Sequence, residues 1–228
     1  MKKLARILGI IAVASVLIFA IISSMVKTPN VEKVWDPATT VGNLDAKNYF
    51  IVYSDIMCPY CVAFENAIFE NEENFENYIE TNDILVEIRL SDYLYEFGES
   101  HPISSRYSAL GTYCAKNEGK FWDYYRIAIT TVWNDYFKNN VKPSSSELNP
   151  NHKEYWIKLG EKVELGEKFA NCVENDETLD EIITNTRKTA NLASGMPFFK
   201  FNRFTSSGFD TKNSYEDVLM FFQAGLES

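Results

Sequence analysis

Tyr49-Phe50-Ile51-Val52-Tyr53-Ser54 is a run of aromatic and β-branched residues that stops at Asp55-Ile56-Met57-Cys58-Pro59-Tyr60-Cys61. No other feature narrows the fold as much. Such a run is a buried strand, and proline directly after Cys58 suits the first position of a helix. The two cysteines therefore sit where a strand gives way to a helix. Beyond Pro59, apolar residues recur at 61, 64, 68, 75, 78 and 79, which predicts one helix from 59 to about 80 with a single buried face. Glu70, Glu72, Glu73, Glu76 and Glu80 fall mostly on its solvated side. Residues 84–90 are a second strand, and strand, helix, strand is a right-handed βαβ unit with parallel strands.

From 103 to about 192 the pattern is helical, most clearly at 104–115, 121–133 and 178–192. Residues 142–146 form a loop, and shorter helices flank Gly160 and Gly166. Residues 197–201 and a weaker run over 204–209 read as a hairpin, and Ser214 N-caps a last helix to about Ala224. The order is βαβ, a block of helices, then ββα. This is an α/β domain over 49–228, split by a helical insertion at about 100–192.

The N-terminus differs. Lys2, Lys3 and Arg6 precede an uncharged run over 7–26, and about 20 apolar residues span a bilayer as a helix. Residues 1–26 are read as a transmembrane signal-anchor with the N-terminus inside; cleavage near Ser23 and Ser24, giving a secreted protein, is the alternative. Residues 27–48, with Pro29, Pro37 and Gly42, read as linker and lead-in. Without Lys2, Lys3 and Arg6, the 22 basic residues become 19 against 32 acidic ones, a formal charge of about −13. Such a surface repels phosphate backbones, so nucleic acid is a poor partner. Outside the cytoplasm thiols stay oxidised, so four cysteines point to disulfide chemistry before metal.

Cys58 and Cys61 could be half of a metal site, inert core thiols or a redox pair. Structural zinc takes four ligands, usually from two close pairs. Cys114, Cys172, His101 and His152 are all isolated in sequence, so no metal is expected. The redox reading has a physical basis. At a helix start, unpaired N–H groups and the helix dipole favour a thiolate, which marks Cys58 as nucleophile. Cys61 lies one turn on, close enough to close the disulfide and more buried. Gly195-Met196-Pro197 precedes the late strand; this proline is either an edge device or a cis-proline packed on the pair.

These residues resemble the DsbA-like branch of the thioredoxin superfamily over about 48–226. The motifs are Ser54-Asp55, Cys58-Pro59-Tyr60-Cys61 and Phe64-Glu65, then Tyr113-Cys114-Ala115 and Gly119-Lys120-Phe121-Trp122. Lys168-Phe169-Ala170-Asn171-Cys172 and Gly195-Met196-Pro197-Phe198-Phe199 complete them. The resemblance implies a thioredoxin fold with an inserted helical domain and a thiol–disulfide oxidoreductase that needs no cofactor. It implies catalysis by Cys58 and Cys61 and substrate contact at Pro59, Tyr60, Met196 and cis-Pro197. Many family members have Thr or Val where Met196 stands. The family's acidic helper maps to Glu65, which is otherwise one more surface glutamate. Some members carry a structural disulfide where Cys114 and Cys172 stand; separate buried thiols and a second redox relay are the other readings. The implied partners are exported proteins with thiols or disulfides and a membrane redox protein that recycles the pair. Oxidase is the leading function, reductase or isomerase the alternative, and a non-catalytic binding module the competitor from another class.

Overall fold

The structure, a computed structural model, describes residues 33–144, 147–193, 195–202 and 204–227. The apolar run at 7–26 lies outside the described residues, among which no helix is long and apolar enough to cross a membrane. One folded unit runs from Val34 to Ser228.

Its centre is a five-stranded sheet in the order β1-β3-β2-β4-β5. These are β1 (Thr40–Val41), β2 (Asn48–Ser54), β3 (Ile84–Leu90), β4 (Phe198–Phe201) and β5 (Phe204–Ser207). β2 and β3 are parallel, with Asn48 opposite Ile84 and Ser54 opposite Leu90. β1 joins β3, β4 joins β2 and β5 joins β4, all antiparallel. β3 is buried along its whole length and β2 at all but its first residue. Covered on both faces, these strands are near-continuous apolar runs rather than alternating ones.

The single helix predicted over 59–80 is two. α1 (Pro59–Phe69) ends, and α2 (Glu72–Thr81) begins after Asn71. Asn71 Nδ2 donates to the Ala67 carbonyl at 2.9 Å, occupying an acceptor at the end of α1. Glu72 and Glu73 then favour a fresh N-terminus, where the dipole welcomes negative charge. A short helix not predicted, α3 (Tyr93–Phe97), follows β3.

The insertion holds α4 (Ile103–Lys116), α5 (Phe121–Asp135), α6 (Lys153–Glu161), α7 (Glu167–Asn175) and α8 (Leu179–Leu192). At the α6–α7 crossing a Cβ on Gly160 would collide with the Phe169 ring, so only glycine allows that approach. Cys114 of α4 and Cys172 of α7 are disulfide-bonded, with Cα atoms 5.8 Å apart. α9 (Tyr215–Leu226) closes the chain, and the Asp217 carboxylate accepts the Ser214 N–H at 2.7 Å. Its Phe222 packs against Phe50 of β2 with ring centroids 4.2 Å apart, fastening the helix to the sheet.

Residues 34–48, read as linker and lead-in, belong to the folded unit. Trp35 and Asp36 donate their N–H groups to the buried Glu87 carboxylate at 2.8 and 3.1 Å. The Arg89 guanidinium pairs with Glu87 at 2.7 Å and lies 4.1 Å from the centre of the Trp35 ring. Glu87 and Arg89 could not stay buried alone, and the lead-in supplies part of their partnership.

Candidate active site

β2 ends at Ser54, and the Asp55 carboxylate shapes the turn that follows. It accepts the N–H groups of Met57 and Leu94, each at 2.9 Å, and the Ser105 hydroxyl of α4. The Asp55 carbonyl accepts the Cys58 N–H at 2.9 Å. These bonds set Cys58 as the residue capping α1, with Pro59 the first helical residue. One aspartate thus ties the strand, the reactive turn and the insertion together.

The second loop arrives from the far half of the chain. Phe198 of β4 pairs with Tyr53 of β2, which fixes the preceding residues over the turn. The Met196–Pro197 bond is cis. The Met196 carbonyl accepts from the Cys58 thiol at 3.7 Å. Pro197 is held in turn by the Gly208 N–H at 2.8 Å. Tyr60 is 48% exposed beside this junction.

Cys58, Cys61, Met196 and Phe198 belong to one buried apolar cluster. Cys61 is fully buried as expected, but Cys58 is only 4% exposed. The two thiols differ in surroundings more than in depth. Burial pushes the Cys61 thiol well above its ordinary pKa, and the nearby Cys58 and Glu65 add to the shift.

Glu65 is 2% exposed, so it is no surface glutamate. Burial raises its carboxyl to about 7, helped by the charge of Asp55. The hydroxyls of Tyr125 and Ser54 stand beside it and temper the rise. Neither they nor the two carboxyl oxygens make a hydrogen bond of normal geometry among the described residues. Burial also raises Asp55, to about 6, against the lowering effect of its three hydrogen bonds.

The structure thus brings together Cys58, Pro59, Tyr60, Cys61, Glu65, Met196 and Pro197, and places Cys114 and Cys172 in the insertion. Among the described residues no three His, Cys, Asp or Glu side chains are gathered to hold a metal. Two contributors to the site went unread in the sequence, Asp55 and Tyr125. An aspartate accepting the N–H two residues on is a recognised turn device, so Asp55 was findable. Tyr125 comes from the insertion, and no local pattern relates it to Glu65.

The class this fold and dithiol define has known counterparts. A thioredoxin family model matches residues 36–199. No curated protein matches the sequence. Oxidised BdbD from Bacillus subtilis has a similar fold at 15% identity, with a TM-score of 0.59 over 83% of this chain and 93% of that one. DsbA from Chlamydia trachomatis is similar at 13% identity, with a TM-score of 0.60 over 86% and 93%. The catalytic domain of Proteus mirabilis ScsC is similar at 17%, with a TM-score of 0.53 over 86% and 93%. The chain belongs to the thioredoxin family.

Proposed function

We propose that the protein is a membrane-anchored oxidase that works outside the cytoplasm and introduces disulfides into exported proteins through Cys58 and Cys61. The observation that carries this reading is the contact of the Cys58 thiol with the Met196 carbonyl beside cis-Pro197. A substrate segment paired with the Met196 backbone brings its own sulfur to Cys58, as extended peptides do at open strand ends. Pro59 and the half-exposed Tyr60 form the adjoining wall.

In the oxidised protein a substrate thiolate attacks Cys58 Sγ. The Cys58–Cys61 bond breaks, a mixed disulfide forms and Cys61 leaves with the electron pair. Its burial disfavours that charge, so Cys61 takes a proton, and Glu65 is the acid placed to give it. A second substrate thiolate then attacks the substrate sulfur of the mixed disulfide and expels the Cys58 thiolate at the start of α1, where the helix dipole favours it. Two electrons pass from the substrate to the pair. A membrane redox partner removes them, and Glu65 takes the Cys61 proton back. The basic residues and apolar run of 1–26 support the anchor; release after cleavage is the competing arrangement.

Refolding of reduced ribonuclease by the protein and by Cys58→Ser tests the reading. Equal rates would remove the catalytic role. Equilibration with glutathione tests direction. A potential between about −270 mV, the value for thioredoxin, and about −120 mV, the value for DsbA, is expected. A phenol has no cationic form, so Tyr60 adds no positive charge beside the thiolate, which argues against the upper end. A potential at or below thioredoxin's would reassign the protein to reduction.

A further inference from the structure

A cavity of about 380 Å³ runs between β1, α1, α2 and α5, against the β3 side of the sheet. Neither the Cys58 turn nor the cis-proline loop lines it. Its walls are mainly apolar and include the rings of Phe69, Phe75 and Trp122. Glu65 and Tyr125 are buried at its inner end, whereas Glu76 and Arg126 stand exposed at the mouth. An apolar cavity of about 150 Å³ accepts benzene, so this one has room for a ring with a short chain.

The inner end is short of donors. Both carboxyl oxygens of Glu65, the Tyr125 hydroxyl and the Ser54 hydroxyl are buried there. None makes a hydrogen bond of normal geometry among the described residues. An ionised carboxylate has about four lone-pair positions, and the two hydroxyls carry one hydrogen each. Buried polar atoms are costly to leave unpaired, so a ligand that brings donors to this end is favoured over one that brings acceptors.

We infer that the cavity binds a small arylalkyl primary amine, its ammonium group on Glu65 and its ring among Phe69, Phe75 and Trp122. An ammonium carries three donors and no acceptor, the complement of a carboxylate beside two hydroxyls. Aromatic faces attract cations, and Phe69 already has the Arg126 guanidinium 5.8 Å from its ring centre. Charge decides against the alternatives. Arg126 is ion-paired with Glu72, which leaves Glu76 to set the sign of the mouth. An anion meets Glu76 on entry and Glu65 at the end. A neutral alcohol fits the ring space but brings a single donor. The site is independent of disulfide exchange, because binding needs no turnover.

Glu65 gives the site a pH signature. It faces Ser54 and Asp55 from the end of β2, Cys61 along α1 and Tyr125 from α5. Glu72, Glu76 and Arg126 flank the mouth, and β1 and β3 present Val41, Val86 and Ile88. Burial pushes the Tyr125 phenol and the Cys61 thiol well above their ordinary ranges, so both keep their protons. Burial also raises the Glu65 carboxyl, to about 7, whereas a primary amine stays protonated up to about pH 10. From pH 6 to pH 8 the carboxyl goes from about one-tenth to about nine-tenths ionised, so amine binding should tighten about tenfold.

Calorimetric titration of the full-length protein with phenethylamine tests the site. Phenethyl alcohol and phenylacetate are the neutral and anionic counterparts. At pH 8 one amine should bind per protein, the alcohol about tenfold more weakly, and phenylacetate without saturable heat. Glu65→Gln keeps the shape and removes the charge. It should weaken the amine about tenfold and flatten the pH dependence, any remaining slope belonging to Asp55, at about 6. Val41→Phe fills the cavity from β1 and should abolish amine binding; if it does not fold, Glu65→Gln decides. No saturable binding of the amine to the wild type overturns the site. So does equal affinity for phenylacetate, or amine binding at wild-type strength in Glu65→Gln or in folded Val41→Phe.

Discussion

The molecule holds two cysteine pairs, and depth does not tell them apart. Cys58 and Cys61 are 4% and 0% exposed, Cys114 and Cys172 1% and 6%. What differs is what surrounds them. The first pair lies within one turn at a helix start, touches a carbonyl from the other half of the sheet and stands over two acids raised by burial. The second joins two helices of the insertion across a separation of 58 residues. On the proposed function, the backbone dipoles and proton acceptors beside a buried sulfur, not its distance from solvent, set whether it reacts.

The sharpest way to break this comparison is chemical. After mild reduction, a brief iodoacetamide pulse followed by peptide mapping should label Cys58 first and leave Cys114 and Cys172 as a disulfide. Label appearing first on Cys61, or on all four together, would erase the distinction. Next in size is stability. Closing a loop of 58 residues contributes about 4 kcal/mol in the chain-entropy model. The Cys114→Ala/Cys172→Ala double variant should therefore melt about 8–16 °C lower. Cys58→Ala/Cys61→Ala, compared with the dithiol form, should shift the midpoint far less.

The acids give the third test. Glu65 sits near 7 in the fold against an ordinary 4.5. A carboxyl raised in this way binds its proton more tightly folded than unfolded. Its favourable share is therefore complete below 4.5 and is lost as pH rises through 7, by about 3 kcal/mol. Urea unfolding across that range should show a decline that Glu65→Gln makes shallower, while Asp55 keeps contributing in both proteins. An unchanged slope in the variant would mean that Glu65 titrates normally. The smallest effect concerns the dipeptide. Position 60 is half-exposed, so a histidine cation there is worth about 1 kcal/mol or less to the thiolate, and Tyr60→His should raise the potential by about 20 mV at most. Glutathione equilibration is the measurement.

Much of this was legible because local pattern and global role coincide. The aromatic β2 run, the proline after Cys58 and the shift from period two to helical spacing each follow from backbone chemistry near in sequence. The break at Asn71 was hidden because the apolar face continues from α1 into α2; the helix ends where the Asn71 side chain turns back to Ala67 and its N–H to Ile68. The depth of Glu65 was hidden for a similar reason. It stands in a glutamate-rich stretch, and nothing local says that α5 will lie across it. Tyr125, and the bonds of Asp55 to Leu94 and Ser105, join residues about 40 to 60 apart, which periodicity does not reach.

Trp35 has a mechanical meaning. The chain enters the folded unit at Val34, and the next two amides are gripped by Glu87. The Trp35 ring meets Arg89 of the same strand, β3, and Lys188 of α8 comes within 3.5 Å of the ring centre. A pull on the chain from its N-terminal side loads β3 and α8 first. The Cys58 turn hangs from β2, and the load reaches it only across the β2–β3 pairing and the Asp55–Leu94 bond, so a tug from the N-terminal side meets two buried anchors before the reactive sulfur.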